Sequence, residues 1–151
     1  MSASASSPRA GTASSPWVRR TTAGVLGGLS GGIVFGALMA MMGMFTMIAA
    51  LAGSTSPWAG FGIHMVISVG YGLVLTLLFT RFLSSYGRGS ITGLVYGFIL
   101  WVIGPLLVMP LMLGMPVFVF NVAVMMSLIG HLLYGLIVAL VAVWSLQRAH
   151  A

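Results

Sequence analysis

The stretch GVLGGLSGGIVFGALMA, residues 24–40, places Gly24, Gly28, Gly32, Gly36 and Ala40 at unbroken four-residue intervals inside an apolar run. That spacing puts all five on one face of a helix. In water such a run of glycine would weaken the helix. In a bilayer it has a use, because lipid gives helices no hydrophobic reason to associate and small residues let their backbones approach closely. The stretch reads as the contact face of a transmembrane helix, and Gly89, Gly93 and Gly97 repeat it later in the chain. Both series are expected to be the central contact faces of the first and third spans.

Composition agrees with that reading. Of 151 residues, 60% are hydrophobic and 4% are charged, where a soluble domain carries about 25% charged residues. Six arginines cannot build a water-facing surface. The formal charge of +6 does not mark a nucleic-acid partner, because Arg9, Arg19, Arg20, Arg81, Arg88 and Arg148 lie in the N-terminal tail or at the ends of apolar runs and form no basic stripe. The absence of Cys excludes disulfides and thiolate chemistry, and the absence of Asp and Glu excludes paired-carboxylate catalysis and an oriented Ser-His-acid triad. No enzymatic turnover is expected.

Residues 1–20 are rich in Ser, Ala and Pro and are expected to form a disordered tail. Apolar runs follow at about 22–51, 60–82, 90–113 and 117–146, each long enough for the roughly 20 helical residues that cross a bilayer. The first run is too long for a secretory signal, whose apolar core is about 7–15 residues. The tail, the 81–89 loop and the C-terminus carry the arginines, whereas the 52–59 and 114–116 connections carry none. Positively charged loops stay cytoplasmic, so both termini are expected inside, in the cytoplasmic (inner) membrane. The predicted fold is all-α: a four-helix polytopic domain over 21–148.

A shift of 61 residues lays Gly28, Gly32, Gly36, Gly43 and Gly53 on Gly89, Gly93, Gly97, Gly104 and Gly114, so five of the six glycines in 85–114 coincide with glycines in 24–53. A shift of 67 lays His64 on His131 and Arg81 on Arg148. The chain reads as two tandem helical hairpins related by a pseudo-two-fold axis along the membrane normal. Each histidine precedes its arginine by 17 residues, or about 25 Å of helix, which places both at one depth in the outer part of the bilayer.

His64 is followed at four-residue steps by Ser68 and Gly72, and His131 by Gly135 and Ala139. Small residues mark buried faces, so both imidazoles are expected to point inward. The bland role is packing, with an imidazole N–H donated to a carbonyl freed by Pro105 or Pro110, near Trp101 or Leu106. Sharper roles are a bis-imidazole haem site, a Cu(I) site drawing on the twelve methionines, and an acid-sensitive contact, since histidine changes charge at about pH 6–7. The methionines of MAMMGMFTM and MPLMLGMP also suit plain gap-filling. A homo-oligomer could enclose a pore for a small neutral solute, using scattered polar groups such as Ser30, Thr46, Ser68, Thr76, Asn121 and Ser127.

The segments MMGMFTMIAALAG, GFGIHMVIS, WVIGPLLVMPLMLGMP and SLIGHLLYGLIVAL together resemble the YagU-type family of small prokaryotic inner-membrane proteins. The matching residues are the pair Gly130-His131 after Pro110-Leu111-Met112, and the resemblance covers about half the chain. The chain departs from that family in lacking acidic residues and a long middle connection. The resemblance implies a helical inner-membrane protein with a loose link to acid tolerance, and it carries over no catalytic residue.

Because the chain has no native cysteine, single cysteines report its orientation directly. Ser56→Cys should react with a membrane-impermeant maleimide in intact cells, and Ser85→Cys only after permeabilisation. The reverse pattern would invert the topology.

Overall fold

The computed structural model describes residues 14–148. Its elements are α1 (Pro16–Met41), α2 (Phe45–Ala50), α3 (Pro57–Leu78), a 3-10 turn (Thr80–Phe82), α4 (Tyr86–Ile103), a π-helical turn (Gly104–Val108), α5 (Met109–Met112) and α6 (Val122–Arg148). Four helical segments are long and apolar enough to cross a membrane: 16–41, 57–78, 86–112 and 122–148. The chain is an all-helical, multi-pass membrane protein.

Local chemistry explains where the helices start. Ser15 caps α1, its hydroxyl accepting from the Val18 N–H at 3.4 Å, and Pro16 fills the first helical position. Residues 16–20 therefore belong to α1 and not to a disordered tail, while 1–13 lie outside the described residues. Ser85 caps α4 by accepting from the Arg88 N–H. The Asn121 side chain accepts from the Val124 N–H at 2.9 Å, so α6 begins at Val122 and residues 117–121 are not helical.

The breaks are equally specific. The first apolar run is not one helix to residue 51. Gly43 adopts φ +65°, its N–H bonds Ala40 O, and Met44 N–H reaches back to Met39 O at 3.0 Å. This left-handed glycine cap ends α1 and turns the chain into the short α2. The same cap ends α2 at Gly53 and α5 at Gly114. In the third span Pro105 lacks an N–H, and the helix widens into the π turn over Gly104–Val108. Gly43 and Gly104, coincident under the 61-residue shift, thus both mark a helix break.

The long helices pack as α1 on α3, α1 on α6, and α4 on α6. The glycine faces make this possible. A Cβ on Gly28 would stand 2.7 Å from Ser68 O and from Val69 Cα, and one on Gly72 would overlap Gly24 and Gly28. On the other side, a Cβ on Gly93 would meet Ala139 Cβ at 2.8 Å, and one on Gly97 would overlap the His131 backbone. The two series therefore face α3 and α6 respectively, not each other. A second face of α1, Gly27 and Gly31, packs on Val138 and Tyr134 of α6. Arg19 of α1 donates from Nη2 to Leu146 O near the end of α6 at 3.0 Å, which ties the arginine-bearing ends together.

Filling one of these contacts should unseat a helix. Gly28→Val is expected to lower unfolding stability in bicelles by about 1–3 kcal/mol, the usual cost of overpacking. Gly62→Val, with nothing within 4 Å of the new Cβ, should stay within about 0.5 kcal/mol of the parent. Equal effects would show that the glycine faces are not the contacts.

Candidate functional site: a histidine-lined intramembrane cavity

α3 and α4 are not closely packed. Tyr96 of α4 reaches across to donate its hydroxyl to Tyr71 O at 2.8 Å, and its ring lies 6.4 Å from that of Phe79. Beyond Tyr71, toward the N-terminus of α3, a cavity of about 420 Å³ opens between α3 and the π turn with α5. Both histidines line it. So do Phe35 and Met39 of α1, Met44, and Ile48 of α2; Gly104, Pro105, Met109 and Met112 form the opposite wall.

The structure brings His64 and His131 to one place. The Phe35 ring lies 5.4 Å from the His64 ring and 4.7 Å from the His131 ring, edge-on to both. Gly130 makes room for it, since a Cβ there would overlap the Phe35 ring. Gly36 lies against His64 more loosely, its Cβ position 3.5 Å from Cδ2 and Nε2 of the imidazole, an ordinary van der Waals distance. Gly36 thus continues the α3-facing series of Gly24, Gly28 and Gly32, which lie at the level of Thr76 to Met65, with a looser contact.

The two imidazoles are held differently. His64 Nε2 lies 2.9 Å from Gly32 O across the α1–α3 contact, with Ser68 Oγ at 3.5 Å. His131 Nδ1 lies 2.7 Å from Ser127 O, one turn back on its own helix. A carbonyl only accepts, so each of these nitrogens carries the proton: neutral His64 is the Nε2–H tautomer and neutral His131 the Nδ1–H tautomer. Neither bond goes to a proline-freed carbonyl, as the sequence suggested. Leu106 O, freed by Pro110, instead accepts from Phe118 N–H at 2.9 Å, for which Phe118 takes φ +55°.

The remaining ring nitrogen of each histidine is a bare acceptor. His64 turns its Cδ2–Nε2 edge to α1, which leaves Nδ1 on the opposite edge. His131 Nε2 lies 3.9 Å from the Cβ position of Gly104, on the cavity wall. Neither nitrogen makes a hydrogen bond among the described residues. Two nearby hydroxyls are already committed, Tyr134 donating to Ser68 O and Ser127 to Val124 O, whereas the hydroxyl hydrogens of Ser68 and Tyr71, also on the cavity lining, meet no acceptor among the described residues.

The inward-pointing small residues next to the histidines also have partners. Ser68 and Gly72 lie against α1, while Gly135 and Ala139 lie against Gly93 and Gly97 of α4. Sequence reading missed Phe35, Tyr71, Tyr96 and Tyr134, and the only signal for them was aromatic residues within glycine-rich faces. Among the described residues no group of three or more His, Cys, Asp or Glu could hold a metal ion. Comparison with protein-family models, curated proteins and solved structures returned no match.

The asymmetry of the two histidines is measurable. His64→Phe removes a bond between helices and should destabilise the fold by about 0.6 kcal/mol, up to about 1.7. His131→Phe removes a bond within one helix and should cost less when both are unfolded from bicelles. A larger loss for His131→Phe would contradict this geometry.

Proposed function

We propose that the chain is a non-enzymatic protein of the cytoplasmic membrane, with both termini inside, that holds a small neutral lipid-soluble molecule in the cavity between α3 and α4–α5. One observation carries the reading: an intramembrane space of about 420 Å³ lined by apolar side chains and two oriented imidazoles. Ligand sites are commonly concave, mostly apolar and furnished with a few placed polar groups, at about 300–1,000 Å³. The orientation rests on the arginines, which cluster at the start of α1, between α3 and α4, and at the end of α6. The resemblance to the YagU-type family is compatible with this role and names no ligand.

A second reading is Cu(I). Met39, Met44, Met109 and Met112 line the same cavity as the two histidines, and thioethers with neutral imidazoles suit that ion. Such a site would carry an uncompensated positive charge, because the chain has no Asp or Glu. Competition for Cu(I) against a chromogenic chelator would reveal it. A bis-imidazole haem is less suited, since a macrocycle reaching both rings would compete with Phe35, which touches both.

A neutral aryl-diazirine in nanodiscs tests the main reading. It should label Ile48, Val108 and Met112 more heavily than the outward-facing Val66 and Val95. Leu100→Trp, which fills the cavity, should abolish the excess. Labelling that merely follows lipid exposure would refute a ligand site.

A further inference from the structure

The arginine-bearing end of the bundle holds a second cavity, of about 440 Å³, between the start of α1, the 3-10 turn with the loop after it, and the end of α6. Arg19, Arg20, Thr80, Ser84, Leu146 and Gln147 line it. The spanning segments 16–41, 57–78 and 122–148 begin or end beside these positions. α1 runs for 26 residues, about 39 Å of helix against a hydrocarbon core of about 30 Å. Arg19 and Arg20 fall within about one turn of its start. The cavity therefore lies at the level of the lipid headgroups and not of the acyl chains.

The arginines at this end are not alike. Arg19 donates to Leu146 O at 3.0 Å. Arg81 lies over the Phe82 ring at 4.6 Å, Arg148 lies over the Trp144 ring at 4.3 Å, and Arg88 donates to Arg81 O at 3.5 Å. Arg20 is half-buried on the cavity lining and makes no hydrogen bond, ion pair or ring contact among the described residues. The Ser84 hydroxyl and the Gln147 amide on the same lining also lack partners there, whereas Thr80 uses its hydrogen on Thr76 O. The chain has no Asp or Glu to neutralise Arg20. Helix dipoles do not create the charge, since α1 begins here while α3 and α6 end here. The guanidinium groups supply it, and the donors around them suit an anion with several acceptor oxygens.

We infer that this cavity binds the phosphate of an anionic phospholipid headgroup, with Arg20 as its main charge partner and Arg19, Ser84 and Gln147 as further donors. Guanidinium meets phosphate oxygens in paired N–H···O bonds. A basic pocket between spanning helices at the membrane surface meets headgroups that need not leave the bilayer to enter it. A soluble phosphate ester offers the same oxygens. The lipid is favoured because Pro16, Leu83 and Leu146 give the cavity an apolar side on which the first carbons beyond the phosphate can rest. The site is separate from the histidine-lined cavity and does not depend on its role.

The probes are phosphatidylglycerol and phosphatidylcholine with the same acyl chains, titrated into the full chain in non-ionic detergent and read by native mass spectrometry. Phosphatidylcholine carries the same phosphate beside a fixed positive charge, which the arginines repel. The first phosphatidylglycerol should bind about ten-fold more tightly than the first phosphatidylcholine, the effect of one charge-assisted pair. Arg20→Gln removes the charge, and Ser84→Trp fills the cavity while keeping every charge; each should bring the two lipids to equal affinity. Arg88→Gln, at the same end of the bundle but outside the cavity, should keep the preference. Arg20 has no partner to lose, so Arg20→Gln should unfold at the parent's temperature. Equal affinity for the two lipids in the parent would overturn the inference. Equal losses in Arg20→Gln and Arg88→Gln would overturn it by showing attraction to diffuse surface charge. Displacement of phosphatidylglycerol by an equal concentration of glycerol phosphate would overturn the lipid assignment in favour of a soluble phosphate ester.

Discussion

Every polar hydrogen inside a membrane span must find an acceptor within the chain, because the hydrocarbon offers none. This protein meets that demand almost entirely with backbone carbonyls, each of which has a second lone pair beyond its helical bond. Tyr96 donates to Tyr71 O, Tyr134 to Ser68 O, Trp101 to Val124 O, Thr76 to Gly72 O and His64 to Gly32 O. Tyr96 and Tyr134 reach their acceptors across wider gaps, but the shorter imidazole of His64 reaches Gly32 O only because α1 and α3 lie very close. The glycine faces supply that closeness, so packing and polar satisfaction depend on each other. The histidines show the consequence: after donating its one N–H, a neutral imidazole has only a lone pair left to present.

The same glycines explain where the cavity lies. Gly24 to Gly32 and Gly89 to Gly97 draw α1 to α3 and α4 to α6 over the half of each helix nearer the arginines. Past that zone Phe35 and the two imidazoles replace glycine as the material between the helices. The π turn at Gly104–Val108 widens the third span, and Gly43 ends α1 early. Two helix breaks and a change from small to bulky contacts thus leave space between α3 and α4–α5. His131 Nε2, 3.9 Å from the Cβ position of Gly104, borders that space.

Much of this was legible in particular residues. The apolar runs and the near-absence of charge defined four spans, and the four-residue glycine spacing marked contact faces. The partners of those faces were not legible, because spacing fixes a face but not the helix opposite it. Ser15-Pro16 and Asn121 were readable caps, overridden by reliance on the arginines and the apolar runs. Gly43 looked like one more packing glycine until its left-handed conformation made it a stop; its coincidence with Gly104, just before Pro105, was the available clue. The inward direction of His64 and His131 followed from the small residues beside them. Their acceptors did not, since Gly32 O and Ser127 O are backbone atoms with no signature in the sequence. The cavity depends on distances between helices and leaves no local trace at all.

The claim on which the account turns is that the two imidazoles are neutral tautomers of opposite kind. Solid-state ¹⁵N spectroscopy of ring-labelled protein in lipid bilayers, at mildly alkaline pH and with His150 replaced, reads this directly. The account predicts a protonated Nε2 and a bare Nδ1 for His64, and a protonated Nδ1 and a bare Nε2 for His131. The same tautomer at both positions, or a second proton on either ring, would contradict it.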